Sequence, residues 1–320
     1  MTGEPRRARL RALAKLNLDL RVLHKRPDGY HELRTIFQTI SLADVIEVEF
    51  RPGRRRRIEL ESQVDIPDNL IVRAAEMVMD ATGAKGEVRF RLSKRIPLGG
   101  GLGGGSTDAA AVLLALPVLA GKRLKLETLL DLGRKLGSDV PFFLLGGTAV
   151  GLGRGTELYP LPDYPGGAGL LVASGVHVST AEAYSALGRG LTTEPQQNMI
   201  DSFQSSAWLM GQGLPAGDRL KLAGNDFETV VFGRYPQLDS IKRRLLKRGA
   251  RTAMMTGSGS GVFGLFASRE AALRAQKSFK EERVFPISLV TRSRYHALWW
   301  RQLGEHIEPH IWPPQSRYAR

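Results

Sequence analysis

Residues 96–116 read IPLGGGLGGGSTDAAAVLLAL and place six glycines, in two triplets, directly before an apolar segment. Glycine loses more conformational entropy on folding than other residues, so such a run weakens a fold unless something requires it. The run could serve as a flexible tether, as a tight turn, or as a loop where a ligand approaches the main chain closely. Alternating residues before it predict a strand over 87–97, and the apolar residues after it predict a helix from about 106 to 116.

Three common glycine motifs do not fit this loop. A dinucleotide fingerprint needs a βαβ unit, whereas a second helix is expected here soon after Pro117. A P-loop ends in Gly-Lys-Ser or Gly-Lys-Thr, but this loop ends Gly105-Ser106-Thr107. A protein-kinase loop is followed by a lysine-bearing strand and by His-Arg-Asp and Asp-Phe-Gly motifs, which this sequence lacks.

The loop nevertheless suits a phosphate group. Small residues at a strand-to-helix junction let backbone N–H groups approach an anion, and the helix N-terminus adds partial positive charge. We expect Ser106, Thr107 and Asp108 at N-cap positions, where their oxygens could also act as the hard ligands that Mg²⁺ takes. A capped glycine turn without any ligand is the alternative interpretation of the same residues.

The composition limits the classes of function. The chain has 320 residues, of which 42% are apolar and 24% charged, as in ordinary globular proteins with room for two domains. No apolar run approaches the roughly 18–20 residues of a membrane span, and the N-terminus does not resemble a secretory signal. With no cysteine, disulfides, thiolate metal sites and a cysteine nucleophile are excluded. We therefore expect a cytoplasmic protein without membrane contact.

The basic charge raises the question of a polyanionic partner. The formal net charge is +14 and the isoelectric point is near 10.3, and such a balance attracts nucleic acid, anionic membranes or phosphorylated small molecules. Basic clusters occur at 6–11, 51–57 and 241–251. No aromatic residues interleave with them and no nucleic-acid-binding signature is present. We expect solvated faces, with a hairpin tip at 54–57, and no nucleic-acid site.

Several motifs together resemble one enzyme family. Residues 97–110, PLGGGLGGGSTDAA, resemble the phosphate loop of the GHMP kinases, the galactokinase–homoserine kinase–mevalonate kinase superfamily. Residues 14–18 and 256–261 resemble its N-terminal and C-terminal motifs, in the expected order. Further stretches at 26–44, 137–158, 178–184 and 224–228 narrow the resemblance. They are similar to members that phosphorylate the 2-hydroxyl of 4-diphosphocytidyl-2-C-methyl-D-erythritol in non-mevalonate isoprenoid precursor biosynthesis.

This resemblance implies an α+β kinase of two domains. The N-terminal domain would resemble domain 2 of ribosomal protein S5 and carry the ATP loop, and the C-terminal domain would be ferredoxin-like. With a Pro- and Gly-rich stretch at 161–169 as the junction, we predict domains over 1–162 and 163–295, and a tail of unknown role over 296–320. The tail could pack on the second domain or mediate self-association. The resemblance also implies ATP and Mg²⁺, a cytidine diphosphate sugar alcohol as second substrate, and a monomer or homodimer.

The resemblance assigns the chemistry to two residues. Asp139 is expected to be the catalytic base that accepts the proton of the attacking hydroxyl, and Lys15 its cationic partner. From the residues alone, Asp139 could instead cap a helix or turn, and Lys15 could be an edge lysine in solvent. Asn17 shares a strand face with Lys15 and could bind substrate or orient the pair.

Further residues are expected to bind the two substrates. The expected ATP-binding residues are Pro97, Leu98, Gly99, Gly100, Gly101, Leu102, Gly103, Gly104, Gly105, Ser106 and Thr107, with Ser106 also a candidate Mg²⁺ ligand. The expected residues at the cytidyl substrate are Asn17, Tyr30, His31, Phe37, Tyr184, Gly257, Ser258 and Gly259. Tyr30 and His31 could equally belong to a surface turn, and Phe37 and Tyr184 to the core.

Two other functions remain open at the level of sequence. Another GHMP small-molecule kinase, of the homoserine or mevalonate type, is disfavoured by the Gly-Tyr-His-Glu stretch at 29–32. A basic nucleic-acid-binding protein on the same fold, with a dead kinase site, is disfavoured because Lys15, Asp139 and Ser106 are all present. Steeply salt-dependent binding to RNA or DNA without ATP turnover would support this second alternative.

Overall fold

The computed structural model describes residues 4–164, 167–188, 197–212, 220, 222–308 and 310–319. Its strands are β1 (Arg6–Lys25), β2 (His31–Pro52), β3 (Arg57–Ser62), β4 (Gly86–Ser93), β5 (Thr148–Gly153), β6 (Glu157–Pro160), β7 (Ala168–Ala173), β8 (Thr252–Met255), β9 (Val262–Phe266) and β10 (Arg283–Ser288). Its helices are α1 (Leu70–Thr82), α2 (Gly104–Leu119), α3 (Leu126–Leu136), α4 (Val140–Leu145), α5 (Thr180–Ala186), α6 (Gln197–Gly211), α7 (Glu228–Arg234), α8 (Pro236–Lys247), α9 (Arg269–Gln276) and α10 (Arg292–Gln302). The predicted α+β class is confirmed.

The first sheet has the strand order β3-β4-β2-β5-β6, and β1 pairs with β2 beside this path. β1 and β2 are antiparallel, and their register shifts between Leu13 and Lys15 and again between Asn17 and Asp19. A shift of this kind disturbs the regular alternation and re-aims the side chains next to it. Lys15 and Asn17 lie between the two shifts, and both are buried.

The first sheet and helices α1 to α4 share one hydrophobic core, which we call the first core, and helix α2 lies at its centre. Its residues from Thr107 to Leu119 are all buried, as expected of a helix that is apolar around its whole circumference. It contacts α1, α3 and α4 as well as β1. The helix continues to Leu119, three residues beyond the predicted end, because Pro117 is accommodated within its last turn.

The second sheet is antiparallel with the strand order β10-β7-β9-β8. In chain order its strands are the fourth, first, third and second of a βαββαβ unit, which is the ferredoxin-like arrangement we expected. Part of its core comes from the first strand of the chain, because Leu20 and Val22 of β1 are buried among residues of α7, α8 and β9. The Leu20 amide also donates to the Gly224 carbonyl at 2.8 Å.

The predicted hairpin at 54–57 is wrong. β3 pairs in parallel with β4, and β4 lies between β3 and β2. The arginines therefore belong to a connection from β2 to β3 that passes over β4. The chain does bend at Arg54 and Arg55, just after Pro52-Gly53, but the neighbour of a strand depends on packing against residues distant in sequence. Arg56 forms an ion pair with Asp80 of α1 at 2.5 Å.

Much of the basic charge on the first sheet is paired across strands. The pairs are Arg7–Glu49 at 2.6 Å, Arg9–Glu47 at 3.5 Å, Arg89–Glu59 at 2.9 Å and Arg91–Glu61 at 3.1 Å. Exposed pairs of this kind stabilise a fold only weakly, because solvent screens the charges. They alternate the sign of charge over the face, which agrees with a solvated surface.

The C-terminal segment packs on the first core. Tyr295, Leu298 and Trp299 of α10 are buried in the same cluster as β1 and α2, as are Leu303 and Ile307 after the helix. The expectation that the tail packs on the second domain is therefore wrong. Apolar residues at i, i+3 and i+4 give α10 one buried face, and that face fits the first core. The predicted domain boundaries and the predicted self-association stay predictions.

Replacing Trp299 by alanine tests this packing. Trp299 is 1% exposed whereas Trp208 of α6 is 73% exposed. Because a buried Trp leaves a cavity, Trp299→Ala should lower the free energy of unfolding by about 3–5 kcal/mol, and Trp208→Ala should change it by less than about 0.5 kcal/mol. Urea unfolding followed by circular dichroism measures both. Equal effects of the two substitutions would contradict the packing.

Candidate active site

An open cleft of about 1060 Å³ lies where β1 and β2 meet the glycine loop, the start of α4, helix α5 and the loop between β8 and β9. Most of the residues predicted for the site line it: Lys15, Asn17, Tyr30, His31, Phe37, Pro97, Gly99, Gly100, Gly101, Leu102, Gly103, Ser106, Asp139, Tyr184, Gly257 and Ser258. Five do not: Leu98, Gly104, Gly105, Thr107 and Gly259. The sequence motifs thus converge on one cavity.

Lys15 and Asp139 meet in this cleft. The Lys15 Nζ lies 3.3 Å from Asp139 Oδ2, and the side chains are 4% and 31% exposed, respectively. A buried ammonium needs a partner, and Lys15 has two, because its Nζ also donates to Asn17 Oδ1 at 2.6 Å. Asp139 is the N-cap residue of α4, yet its side chain makes no cap hydrogen bond. Its carboxylate is thereby left to face Lys15 and the cleft.

Asn17 is oriented by a short hydrogen-bond chain. Its Nδ2 donates to Thr35 Oγ1 at 2.7 Å, and Thr35 Oγ1 donates to the Asp19 carbonyl at 2.7 Å. The chain fixes which end of the Asn17 amide points at Lys15. Of the two roles expected for Asn17, this arrangement favours orientation of the Lys15–Asp139 pair.

The glycine loop and the loop between β8 and β9 pack backbone to backbone. The Ser260 amide donates to the Gly99 carbonyl at 3.0 Å. Gly101 has φ of +70°, and a Cβ there would lie 2.0 Å from the Thr256 carbonyl oxygen. A Cβ on Gly261 would lie 2.6 Å from the Gly100 carbonyl oxygen. The glycines are therefore required by a close approach of two loops, in addition to any ligand.

The N-terminus of α2 begins at the glycine loop, but its cap differs from the expectation. Gly103 is the N-cap, so Ser106, Thr107 and Asp108 lie inside the helix and their predicted N-cap positions are wrong. Gly103, in the left-handed conformation, ends the loop. The helix therefore begins about one turn before the residues that were expected to cap it. Thr107 is buried and its Oγ1 donates to the Leu13 carbonyl at 2.8 Å, which holds α2 against β1.

Asp108 takes part in a buried cluster that sequence reasoning missed. Lys94 Nζ lies 2.5 Å from Asp44 Oδ2 and 2.8 Å from Asp108 Oδ2, and all three side chains are at most 5% exposed. Burial, and secondarily the neighbouring Asp44 charge, raise the pKa of Asp108 to about 7 against the pull of Lys94. Asp108 therefore has a structural role in the buried cluster beneath the glycine loop. The only sequence signal was a lysine three residues before Pro97.

The aromatic residues form one wall of the cleft. The rings of His31 and Tyr184 stack at 4.5 Å, and Phe227 meets Tyr184 edge-on at 4.8 Å. Of the aromatic residues expected at the cytidyl substrate, His31 and Tyr184 therefore contact each other. Phe37 lies apart from them under Lys15, whose Nζ is 5.4 Å from the ring centre.

Further cleft residues were absent from the sequence prediction. Arg154 lines the cleft and covers the Tyr30 ring at 3.3 Å. Thr180 Oγ1 lies 2.8 Å from Ser258 Oγ and so links α5 to the loop. Asn225 does not itself line the cleft, but its Nδ2 donates to the Met255 and Gly257 carbonyls, both at 2.8 Å, and so supports the loop that does. The Gly-Asn-Asp-Phe-Glu stretch at 224–228 carried the signal for Asn225, though without a role.

The cleft offers oxygen atoms that suit a magnesium ion bound together with a nucleotide. Within the described ranges, no group of three or more His, Cys, Asp or Glu side chains could hold a metal ion. Mg²⁺ is often held by one or two protein oxygens together with substrate phosphates. Ser106 and Asp139 offer such oxygens at the cleft, so an ion that arrives with a nucleotide fits.

A search of the described residues finds no helix with the length and apolar character needed to cross a membrane.

Comparison with known proteins places both halves of the chain in one family. Residues 69–147 match the GHMP kinases N terminal domain and residues 212–283 the GHMP kinases C terminal domain. A 4-diphosphocytidyl-2-C-methyl-D-erythritol kinase of Solibacter usitatus is 60% identical over 317 residues, 98% of each chain. One of Geobacter sp. is 40% identical over 87% of this chain and 96% of its own.

Solved structures agree with this family assignment. A crystal structure of 4-(cytidine 5'-diphospho)-2C-methyl-D-erythritol kinase matches with a TM-score of 0.70 and 37% identity, covering 88% of this chain and 98% of its own. Homoserine kinase from Cytophaga hutchinsonii has a TM-score of 0.67 at 18% identity, over 89% and 95% of the two chains, which shows a shared fold alone. The predicted two-domain architecture is confirmed.

Substitution of Gly101 by alanine should separate the two loops. Gly101→Ala brings a Cβ to 2.0 Å from the Thr256 carbonyl oxygen, whereas Gly83→Ala, at a similar φ of +62°, meets open space. Both substitutions carry the backbone strain of roughly 1–2 kcal/mol, but only the first displaces a loop. We expect the dissociation constant for a non-hydrolysable ATP analogue, measured by calorimetry, to rise at least tenfold for Gly101→Ala alone. Similar affinities for both variants would contradict the close contact between the glycine loop and the loop between β8 and β9.

The buried carboxylate predicts a pH dependence of stability. The folded pKa of Asp108, near 7, lies above the ordinary value of 3.8, so the folded state binds more protons between these values. Stability therefore falls as pH rises from about 4 to 7. The free energy of unfolding of the wild type, relative to Asp108→Asn, should fall by more than about 1 kcal/mol over this range. Urea unfolding at several pH values measures it, and a constant or rising difference would refute the assignment.

Proposed function

The chain belongs to the 4-diphosphocytidyl-2-C-methyl-D-erythritol kinases of the GHMP kinase family, and we propose that it phosphorylates the 2-hydroxyl of that cytidyl compound with ATP. The observation that carries the proposal is the Lys15–Asp139 pair, held at 3.3 Å in the same cleft as the glycine loop. Phosphoryl transfer needs little more from a protein than positioning and electrostatic stabilisation. The cleft supplies both.

Asp139 is the base in this mechanism. Its carboxylate is partly exposed to the cleft and makes no cap hydrogen bond, so an oxygen is available to accept the proton of the attacking hydroxyl. The Lys15 ammonium has three N–H donors. One bonds Asn17 and one faces Asp139. The described residues offer the third donor no hydrogen-bond acceptor, so it can stabilise negative charge that develops as the hydroxyl attacks.

The glycine loop is proposed to hold the nucleotide phosphates. Residues 99–103 line the cleft and end at Gly103, the N-cap of α2. The unpaired N–H groups at the start of α2 and its dipole favour an anion there. Ser106 and Asp139 would hold Mg²⁺ beside the phosphates, and the ion would supply neutralisation of phosphate charge there.

The cytidyl group is proposed to bind at the aromatic wall. The stack of His31 and Tyr184 lines the cleft on the side of β2 and α5, and Lys25 and Arg154 line it nearby. Stacking of a nucleobase on an aromatic ring contributes about 1–3 kcal/mol. Two cations beside such a ring suit the negative diphosphate that a cytidyl alcohol carries.

The alternatives are not favoured. Homoserine and mevalonate kinases share the fold at 18% and 16% identity, whereas the relatives at 40% and 60% identity are kinases of the cytidyl compound. A nucleic-acid site would need an unpaired basic surface, but arginines of the first sheet alternate with glutamates. A cytoplasmic location and a monomer or homodimer stay predictions.

The base assignment is tested by Asp139→Asn. This variant keeps the shape of the side chain but cannot accept the proton, so kcat should fall at least about 100-fold. Asp131→Asn is the matched control, because Asp131 is an exposed residue of α3 that pairs with Arg134. Steady-state turnover of ATP with the cytidyl substrate measures both. An unchanged kcat for Asp139→Asn would remove Asp139 from the mechanism.

The acceptor is tested with a truncated substrate. A methylerythritol phosphate without the cytidyl group should support at most one-hundredth of the kcat/KM of the cytidyl substrate, because it cannot use the aromatic wall. Phosphorus NMR of the product identifies the phosphorylated hydroxyl. Equal use of both substrates would indicate a different GHMP kinase.

A further inference from the structure

We propose that three side chains of the C-terminal segment, residues 292–308 and 310–319, position Asp139 by holding the far end of helix α4. Tyr295, His296 and Trp312 act as the positioning residues. The inference rests on the proposed function, because the position of Asp139 matters for turnover only if Asp139 is the base. The segment lies beyond residue 283, where the match to the second family domain ends.

Helix α4 is short and needs partners at its end. It has six residues, Val140–Leu145, and begins directly after Asp139. The last four carbonyls of any helix lack partners within the helix. In α4 one of them is satisfied locally, because the Gly146 amide donates to the Phe142 carbonyl at 2.8 Å. Three carbonyls at a buried position remain to be satisfied.

Three aromatic side chains of the C-terminal segment supply the donors. Tyr295 Oη donates to the Phe143 carbonyl at 2.5 Å. Trp312 Nε1 donates to the Leu144 carbonyl at 3.1 Å. His296 Nε2 lies 3.1 Å from the Leu145 carbonyl and, because a carbonyl only accepts, carries the proton. Each of the last three carbonyls of α4 thus has its own donor.

The donors are themselves fixed by packing. The rings of His296 and Trp312 stack at 3.7 Å with an angle of 12° between their planes. A Cβ on Gly146, at φ of +68°, would lie 2.3 Å from the Tyr295 ring, so the turn after α4 is shaped around that ring. Tyr295 is 1% exposed. These contacts leave the end of α4 little freedom to move.

The same segment also holds helix α2. Ser316 Oγ donates to the Val118 carbonyl at 2.7 Å, in the last turn of α2. Gln315 Nε2 donates to the Leu124 carbonyl just after that helix. Helices α2 and α4 present their N-terminal ends to the cleft, at the glycine loop and at Asp139. One segment therefore fixes the opposite ends of both.

This arrangement transmits position because α4 is rigid. Val140 to Leu144 are all buried, so a shift at the end of the helix moves the helix as a body. Misplacement of a reacting group by about 1 Å can lower a rate about 100-fold. Loss of one donor should therefore reduce kcat more than it reduces substrate binding.

Two tryptophans of the segment provide a matched experiment. Trp312→Phe keeps a ring to stack on His296 but removes the donor to α4. Trp300→Phe removes an indole donor of the same kind, which bonds the Ile311 carbonyl at 3.1 Å and not α4. Tyr295→Phe is a second variant that removes another donor to α4. Measurements are made on the full chain, well below the melting temperature of each variant.

For Trp312→Phe and Tyr295→Phe, we expect kcat to fall at least tenfold, with KM for ATP and for the cytidyl substrate within twofold of wild type. Hydrogen–deuterium exchange over residues 140–147 should become faster in these variants. Trp300→Phe should keep kcat and exchange within twofold of wild type. These results together would support a positioning role beyond folding stability.

Two results would overturn the inference. One is a wild-type kcat in both α4-directed variants with only a lower melting temperature, and the other is an equal loss of kcat in Trp300→Phe. A wild-type protein without turnover of the cytidyl substrate would instead overturn the proposed function, and with it the catalytic meaning of the contact. A failure of the positioning inference and a failure of the proposed function therefore give different experimental results.

Discussion

The structure depends on the contact between two glycine loops. The Ser260 amide bonds the Gly99 carbonyl, and Gly101 fits against Thr256 where a Cβ would overlap the carbonyl oxygen. This contact joins the first sheet, through the loop before α2, to the second sheet, through the turn between β8 and β9. Gly103 then starts α2 with its N–H groups toward the cleft. The proposed phosphate binding and the packing of the two loops therefore place the same demand on this backbone.

Charge in and near the cleft is organised around two buried lysines. Lys15 bonds Asn17 and faces Asp139 in the cleft, whereas Lys94 bonds Asp44 and Asp108 under the loop. A buried ammonium is stable only when paired. Lys94 is enclosed by its two carboxylates and supports structure, while Lys15 retains a partner that is partly open to solvent. The difference in exposure separates a supporting cluster from the pair that we propose to be reactive.

Local patterns predicted much of the fold and the composition of the cleft. The apolar run after the glycines predicted α2, and the family resemblance of the ordered motifs implied that Lys15, Asp139 and the two loops belong to one site. Patterns failed where the outcome depends on distant partners. The neighbour of β3 is chosen by packing, so Pro52-Gly53 did not reveal it. The stack of His31 on Tyr184, the burial of Asp108 and the docking of α10 likewise arise between residues far apart in sequence.

The long first strand contributes to the cores of both lobes, the first lobe being the first sheet with its helices and the second lobe the second sheet with its helices. Leu20 and Val22 of β1 complete the core of the second lobe, and Leu20 pairs with the chain near Gly224. During synthesis β1 leaves the ribosome among the first residues, about two hundred residues before its partner. The second lobe cannot close its core from its own sequence, so a nascent chain must keep the end of β1 available until late. Contacts of such sequence separation slow folding, and the second lobe has its full core only once β1 has packed against it.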